Sequence, residues 1–312
     1  MTNHINSSET SELRIDFVEL FKAIFDAKYL IILFTTFGAI CSVLFALSLP
    51  NTYTSSVLLS PVNESESLSS KIGSYSALAG LAGVSLPGEP ASKSTEAIER
   101  IRSFSFFQNH FLPYIKIEDL IAAEDWDHEK NQTIYDEDAF NASSNKWVRK
   151  VNYPFKTIPS DQEAYKIYKK KIAIYEDKKT SFISISIEHY SPYVAKNWLD
   201  IIVKNINESM REEDKKTASN AITFLNMTSQ QTNLNPIKEG IAKLVETQMQ
   251  TLMLASANES YVFKVLDSPV VSEKNSGPAR PIICIMITII SAMLAVIYSL
   301  ARHFRKKSAF FN

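Results

Sequence analysis

YLIILFTTFGAICSVLFALSL fills residues 29–49 and IICIMITIISAMLAVIYSLA fills residues 282–301, and neither stretch holds a charged residue. A bilayer core about 30 Å thick is crossed by about 20 apolar residues rising 1.5 Å each. Both stretches meet that length, and they sit near opposite ends of the chain. A chain that crosses at both places residues 1–28 and 302–312 on one side and residues 50–281 on the other. The expected fold class is therefore α+β, a two-span membrane hairpin with a folded domain between the spans.

Flanking charge sets the direction. Arg14, Lys22 and Lys28 precede the first span, and Arg302, Arg305, Lys306 and Lys307 follow the second. No Lys or Arg occurs in residues 29–70, and only Lys274 and Arg280 approach the second span from the loop side. Cytoplasmic flanks carry the excess of Lys and Arg, so both tails are expected inside and residues 50–281 outside. A cleaved leader, with Ala46 and Ser48 as the small residues before a cut, is the competing reading. The apolar run is longer than a leader's core, and five acidic residues lie among the 28 before it. Phe17, Leu20, Phe21, Ile24 and Phe25 recur at helical spacing ahead of the span, with Asp16 and Glu19 placed as a capping box. They read either as an interfacial helix or as an extension of the span.

Thirty-three basic against 34 acidic residues leave a net charge of −1, with no basic face that suggests nucleic acid. The two cysteines, Cys41 and Cys284, both fall inside the spans, so the central domain folds without disulfides. Asn-x-Ser/Thr triplets at Asn63, Asn131, Asn141, Asn207, Asn226 and Asn258 reflect an Asn- and Ser-rich composition.

Between the spans, residues 53–60 (YTSSVLLS) read as a strand and residues 64–92 as a Ser/Gly/Ala-rich loop. Ile98, Ile101, Phe104, Phe107 and Phe111 form a helical stripe ended by Pro113. Residues 119–151 read as surface helices and loops anchored by Trp126 and Trp147. Ser160 and Asp161 cap a helix carrying Ala164, Ile167 and Tyr168. Residues 172–175 and 182–188 then form a hairpin with Ile183, Ile185 and Ile187 on one face. From Pro192, capped by Ser191, a helix of about 43 residues, or about 64 Å, runs to residue 235. Its middle, REEDKKTASN, is polar all round. A return helix over residues 236–257 carries Ile237, Ile241, Leu244, Val245, Met249 and Leu252 at core spacing, and residues 261–266 form the last strand. This order predicts a two-layer α/β sandwich next to the membrane, with the long helix and its return projecting from it.

No catalytic constellation emerges. His4, His110, His128, His189 and His303 are scattered, and no phosphate loop or Gly-x-Ser-x-Gly elbow occurs. Asp125-Trp126-Asp127 and Asp136-Glu137-Asp138 match an Asp-x-Asp metal pattern, but such triplets arise freely in acidic loops. No catalytic, metal or cofactor site is expected, and no cofactor. Two other patterns carry structure. Gly38-Ser42-Ala46 and Ser291-Ala295-Ser299 place small residues every fourth position, suited to close packing of the spans with each other or with a membrane partner. Pro269, Gly277, Pro278 and Pro281 punctuate the approach to the second span. Residues 276–281 read either as a stiff extended connector or as the stop of a strand and start of a helix.

With its two terminal spans, SISIEHYSPYVAKNWLDIIVKNIN before the long helix and MLASANESYVFKVLDSPVVSEKNSGPARP before the second span, the chain resembles bacterial polysaccharide co-polymerases of the O-antigen chain-length determinant (Wzz) type. Members of that family carry a Pro/Gly-rich motif at the second span, which falls here on Pro269, Gly277, Pro278 and Pro281. Past Pro281 the span holds no further proline or glycine. The resemblance implies a non-catalytic homo-oligomer of the Gram-negative inner membrane, with a periplasmic domain, that sets the length of lipopolysaccharide O-antigen. Its implied partners are the membrane, a polysaccharide polymerase and, as an open point, lipid-linked polysaccharide. The tail RHFRKKSAFFN has no tyrosine or nucleotide-binding unit, which speaks against the kinase-fused subclass. The rival function is an adaptor for capsule or other polysaccharide export; a periplasmic ligand sensor would need a cytoplasmic output domain.

Overall fold

The computed structural model describes residues 25–62 and 92–309. The amphipathic stretch at residues 17–25, except for Phe25, and the Ser/Gly/Ala-rich loop lie outside the described residues. In chain order the main elements are α1 (Lys28–Ser48), β1 (Tyr53–Pro61), α2 (Lys93–Arg102), β2 (Ala123–Asp127), β3 (Gln132–Tyr135), β4 (Phe140–Asn141) and β5 (Lys146–Trp147). They continue with α3 (Asp161–Lys171), β6 (Ile172–Glu176), β7 (Ile183–His189), α4 (Pro192–Gln231), α5 (Asn235–Ala257), β8 (Phe263–Asp267) and α6 (Arg280–Ala309). Two compact units result: residues 51–276, and the two ends of the chain paired with each other.

The central unit is built on a four-stranded antiparallel sheet in the order β6-β7-β1-β8. β1 runs against β7 from Tyr53↔His189 to Leu59↔Ile183, and a bulge between Leu58 and Leu59 adjusts it to β8. Alternation decides which face is covered. Ser55, Val57 and Leu59 of β1 and Ile183, Ile185, Ile187 and His189 of β7 are buried, while Ser56 and Glu188 between them are exposed. This is the hydrophobic-in, polar-out pattern of an antiparallel sheet with one covered face.

α4 supplies the covering layer. Ala195, Trp198, Leu199, Ile202, Ile206 and Met210 recur at three- and four-residue spacing and are all buried. Ser191 caps the helix through Val194 N–H, with Pro192 in the first turn. α4 spans 40 residues and ends before Asn233, four residues short of the expected limit. α5 returns alongside it, burying Ile241 and Ala255. Ile237, Leu244 and Met249, expected as core, are exposed, so the apolar residues of α5 are spread over more than one face.

Two expectations need correction. The stripe from Ile98 to Phe111 is not one helix: α2 ends at Ser103, whose side chain caps a new start through Phe106 N–H at 3.1 Å, and a π-helical turn Phe107–Phe111 follows. The extra residue of that turn aims Phe107 and Phe111 at Tyr168, with ring centroids 5.1 and 4.9 Å away, and Phe111 at Trp198. Residues 123–147 are not surface helices but two short hairpins, β2–β3 and β4–β5. Their alternation is too brief, and too heavily acidic, to stand out in the sequence. Ser160 and Glu163 form a full capping box at the head of α3.

Candidate functional site

The paired ends of the chain form the first candidate. α1 and α6 are long and apolar enough to cross a membrane, over Lys28–Ser48 and Arg280–Arg302, each with a mean hydropathy of 2.5. They run antiparallel. Arg280 donates to the Leu49 carbonyl at 3.0 Å, Cys284 Sγ lies 3.7 Å from the Ser42 carbonyl, and the Phe34 and Tyr298 rings approach to 6.3 Å. Small residues fill the seam between these contacts. A Cβ at Gly38 would overlap the Ser291 side chain, so the helices touch at backbone distance there. Ser42, Ala46, Ala295 and Ser299 are all buried, in helices whose other residues are largely exposed. Ser42 and Ser291 return their hydroxyls to the carbonyls of Ala39 and Thr288, which keeps those polar groups satisfied within their own helices. All six small residues thus lie along one helix pair.

The proline-punctuated segment divides. Pro269 belongs to the central unit, where it lines a cleft of about 430 Å³ between α4 and the β8 edge. Gly277 and Pro278 belong to the span unit and are joined by a cis peptide bond. The Pro278 carbonyl accepts from Arg280 N–H at 2.7 Å, and Pro281 sits in the first turn of α6. Residues 276–281 are therefore not one extended connector: Pro281 starts a helix, in the position where its missing donor costs nothing. Before it, the chain runs beside the start of β1. Ser276 N–H donates to the Thr52 carbonyl at 2.8 Å, Asn275 donates to Asn51, and Ser55 donates to the Val270 carbonyl.

Several structural side chains escaped the sequence reading. Asn207, noticed there only as a triplet residue, is buried with every polar capacity used. Its Oδ1 accepts from Val262 and Phe263 N–H, and its Nδ2 donates to the carbonyls of Val203 and Phe263. It fixes the entry of β8 to α4. His189, fully buried, accepts the Ser191 N–H on Nδ1, which leaves Nε2 to donate to the Asp119 carbonyl at 2.8 Å. Burial pushes its pKa down to about 4, so it is neutral. The Asp119 carboxylate accepts from Tyr135 at 2.6 Å, and burial raises its own pKa. Lys93 reaches Asp214 and the Tyr261 hydroxyl, both at 2.8 Å, tying α2 to α4 and to the chain entering β8. Buried polar residues on an apolar face look the same in a sequence whether they are satisfied or not.

Among the described residues no group of three His, Cys, Asp or Glu side chains is placed to hold a metal. The Asp-x-Asp triplets serve their own turns: Asp127 accepts from Glu129 and Lys130 N–H, and Asp136 from Asp138 N–H.

With that geometry in hand, residues 13–103 match the family model of Wzz, the chain length determinant protein. The match is confined to that stretch. It contains α1, β1 and α2, and it stops well before the proline-punctuated segment. Among solved structures, the chain is similar to a full-length bacterial polysaccharide co-polymerase, at 11% identity and a TM-score of 0.39, covering 94% of this chain and 99% of that one. It is also similar to a fragment of WzzB, the polysaccharide co-polymerase from Salmonella Typhimurium, at 15% identity and a TM-score of 0.30, covering 73% and 100%. No curated protein matches. Both structural likenesses are distant, and the likeness to Wzz rests on residues 13–103.

Proposed function

We propose that the chain regulates the length of a surface polysaccharide, the lipopolysaccharide O-antigen, as a non-catalytic homo-oligomer working with a membrane polysaccharide polymerase. The observation that carries this reading is the Wzz match over residues 13–103, which takes in the first span and the strand that follows it. The seam of small residues between α1 and α6 supports a hairpin anchored in the inner membrane. Both termini are cytoplasmic and residues 50–281 periplasmic in this reading, as the Lys and Arg flanks favour. Copies associate side by side through their α/β domains and long helices, and the geometry of the assembly biases when the polymerase releases a chain. Gly38, Ser42, Ala46, Ser291, Ala295 and Ser299 hold the spans together, and Pro269, Gly277, Pro278 and Pro281 order the passage into the second span.

The test is the electrophoretic profile of lipopolysaccharide with and without the gene. The expected result is a clustered length distribution that becomes broad or short on deletion, with polysaccharide still at the surface. Loss of surface polysaccharide would point to the export adaptor, and an unchanged profile would overturn the reading.

A further inference from the structure

Residues 123–158 carry two patches of opposite charge that do not neutralise each other. The acidic patch is the β2–β3 hairpin, where Glu124, Asp125 and Glu129 are exposed. Its form is fixed: Asp127 accepts two backbone N–H groups of the turn, and Trp126 Nε1 donates to Asn131 at 3.1 Å. The indole packs edge-on against Tyr53 of β1, centroids 5.5 Å apart, and against Tyr193 of α4.

The basic patch is β5 and the loop that follows it. Residues 146–158 contain Lys146, Lys150 and Lys156, all exposed, and no acidic residue. Arg149 braces the loop from within. It donates to the Thr157 and Lys156 carbonyls at 2.8 and 2.6 Å and pairs with Glu163, the same residue that closes the capping box of α3. That brace presents Tyr153 at 97% exposure, beside Phe155 and Ile158. An aromatic residue held in water at that exposure gains nothing from its own fold. Among the described residues the three lysines form no salt bridge, and neither do Glu124, Asp125 or Glu129.

Neither patch is neutralised by an ion pair to the other among the described residues. The acidic hairpin rests on β1 through Trp126 and Tyr53, and the basic segment follows β4, whose Phe140 packs on Tyr135 of β3 and on Trp147. Complementary patches on one chain that form no ion pair with each other suit a head-to-tail contact, which repeats from copy to copy. We propose that the basic, aromatic loop of one copy seats on the acidic β2–β3 hairpin of the next. Lys150 and Lys156 meet the carboxylates at the rim and steer the approach, while Tyr153 and Phe155 supply the apolar centre. An anionic lipid surface would answer the lysines but repel the hairpin, and a neutral glycan would answer neither charge. This contact rests on the oligomeric reading above and adds its location.

The experiment uses the purified full-length chain carrying Cys41→Ser and Cys284→Ser, with Lys150→Cys and Glu129→Cys added singly and together. A thiol-to-thiol cross-linker is expected to give a ladder of dimers and higher species only when both new cysteines are present. Lys150→Glu with Lys156→Glu, introduced into a chain carrying Glu129→Cys and Asn152→Cys, should lower that chain's cross-linking about tenfold, and Glu124→Lys with Asp125→Lys should restore it. No cross-linking in a chain that light scattering shows to be oligomeric overturns this contact and leaves the oligomer standing. A monomer by light scattering overturns the oligomeric reading as well. Cross-linking that survives charge reversal, or loop capture on anionic vesicles in place of a second copy, also overturns the contact.

Discussion

His189 shows what one buried side chain asks of its surroundings. Its two ring nitrogens are committed in opposite senses, one accepting from Ser191 N–H and one donating to Asp119, so an added proton on Nδ1 would face a donor. The folded pKa of about 4 lies below the unfolded value of 6.5, and the unfolded chain therefore takes the proton first. Stability is full above about pH 6.5 and falls as pH drops toward 4, by up to about 3 kcal/mol. Denaturation midpoints of the detergent-solubilised chain at pH 7 and pH 4.5 check this, and a His189→Gln variant should show a flatter profile. Gly38 makes a second demand at the same scale. Gly38→Ala should loosen the span pair by about 1–3 kcal/mol through overlap with Ser291, and Ser291→Gly in the same chain should recover most of the loss. Energy transfer between labels on the two spans reads both effects.

At the scale of elements, the joints of α4 differ in kind. The Lys93–Asp214 pair is partly exposed, and such pairs are worth about 0–1 kcal/mol, so Asp214→Asn, which keeps an acceptor for the Tyr261 hydroxyl, should cost little. Asn207→Ala strips partners from two N–H groups and two carbonyls in a buried place and should cost about 2–4 kcal/mol. Urea titrations of the two variants should therefore separate clearly. The long elements were legible in the sequence because period and punctuation agreed: Ser191-Pro192 opened α4, Ser160 opened α3, and Ile183, Ile185 and Ile187 declared the covered face of β7. The π-helical turn was not legible, because Ile98 to Phe111 keeps helical spacing while Ser103 interrupts the backbone. The β2–β3 and β4–β5 hairpins were hidden by their shortness. Of the candidate site, the small-residue positions could be read from a four-residue period, but the seam they share needs two helices at once. The approach of Gly38 to Ser291 pairs residues 253 positions apart.

For the whole molecule, the passage from Gly277 to Pro281 links the central unit to a helix whose first turn already contains a proline. Pro278→Ala with Pro281→Ala leaves the apolar length of α6 intact, so insertion should persist while length control is disturbed. A wild-type lipopolysaccharide ladder from that variant would remove the segment from the regulatory reading. Asn51 and Thr52 at the beginning of the central unit are hydrogen-bonded to Asn275 and Ser276 at its close, so the polypeptide enters and leaves through a single doorway. Such a unit is a cassette: with the spans cut away and a few flexible residues stitching the two openings together, it could be circularised, or lodged inside an unrelated carrier, without straining a strand.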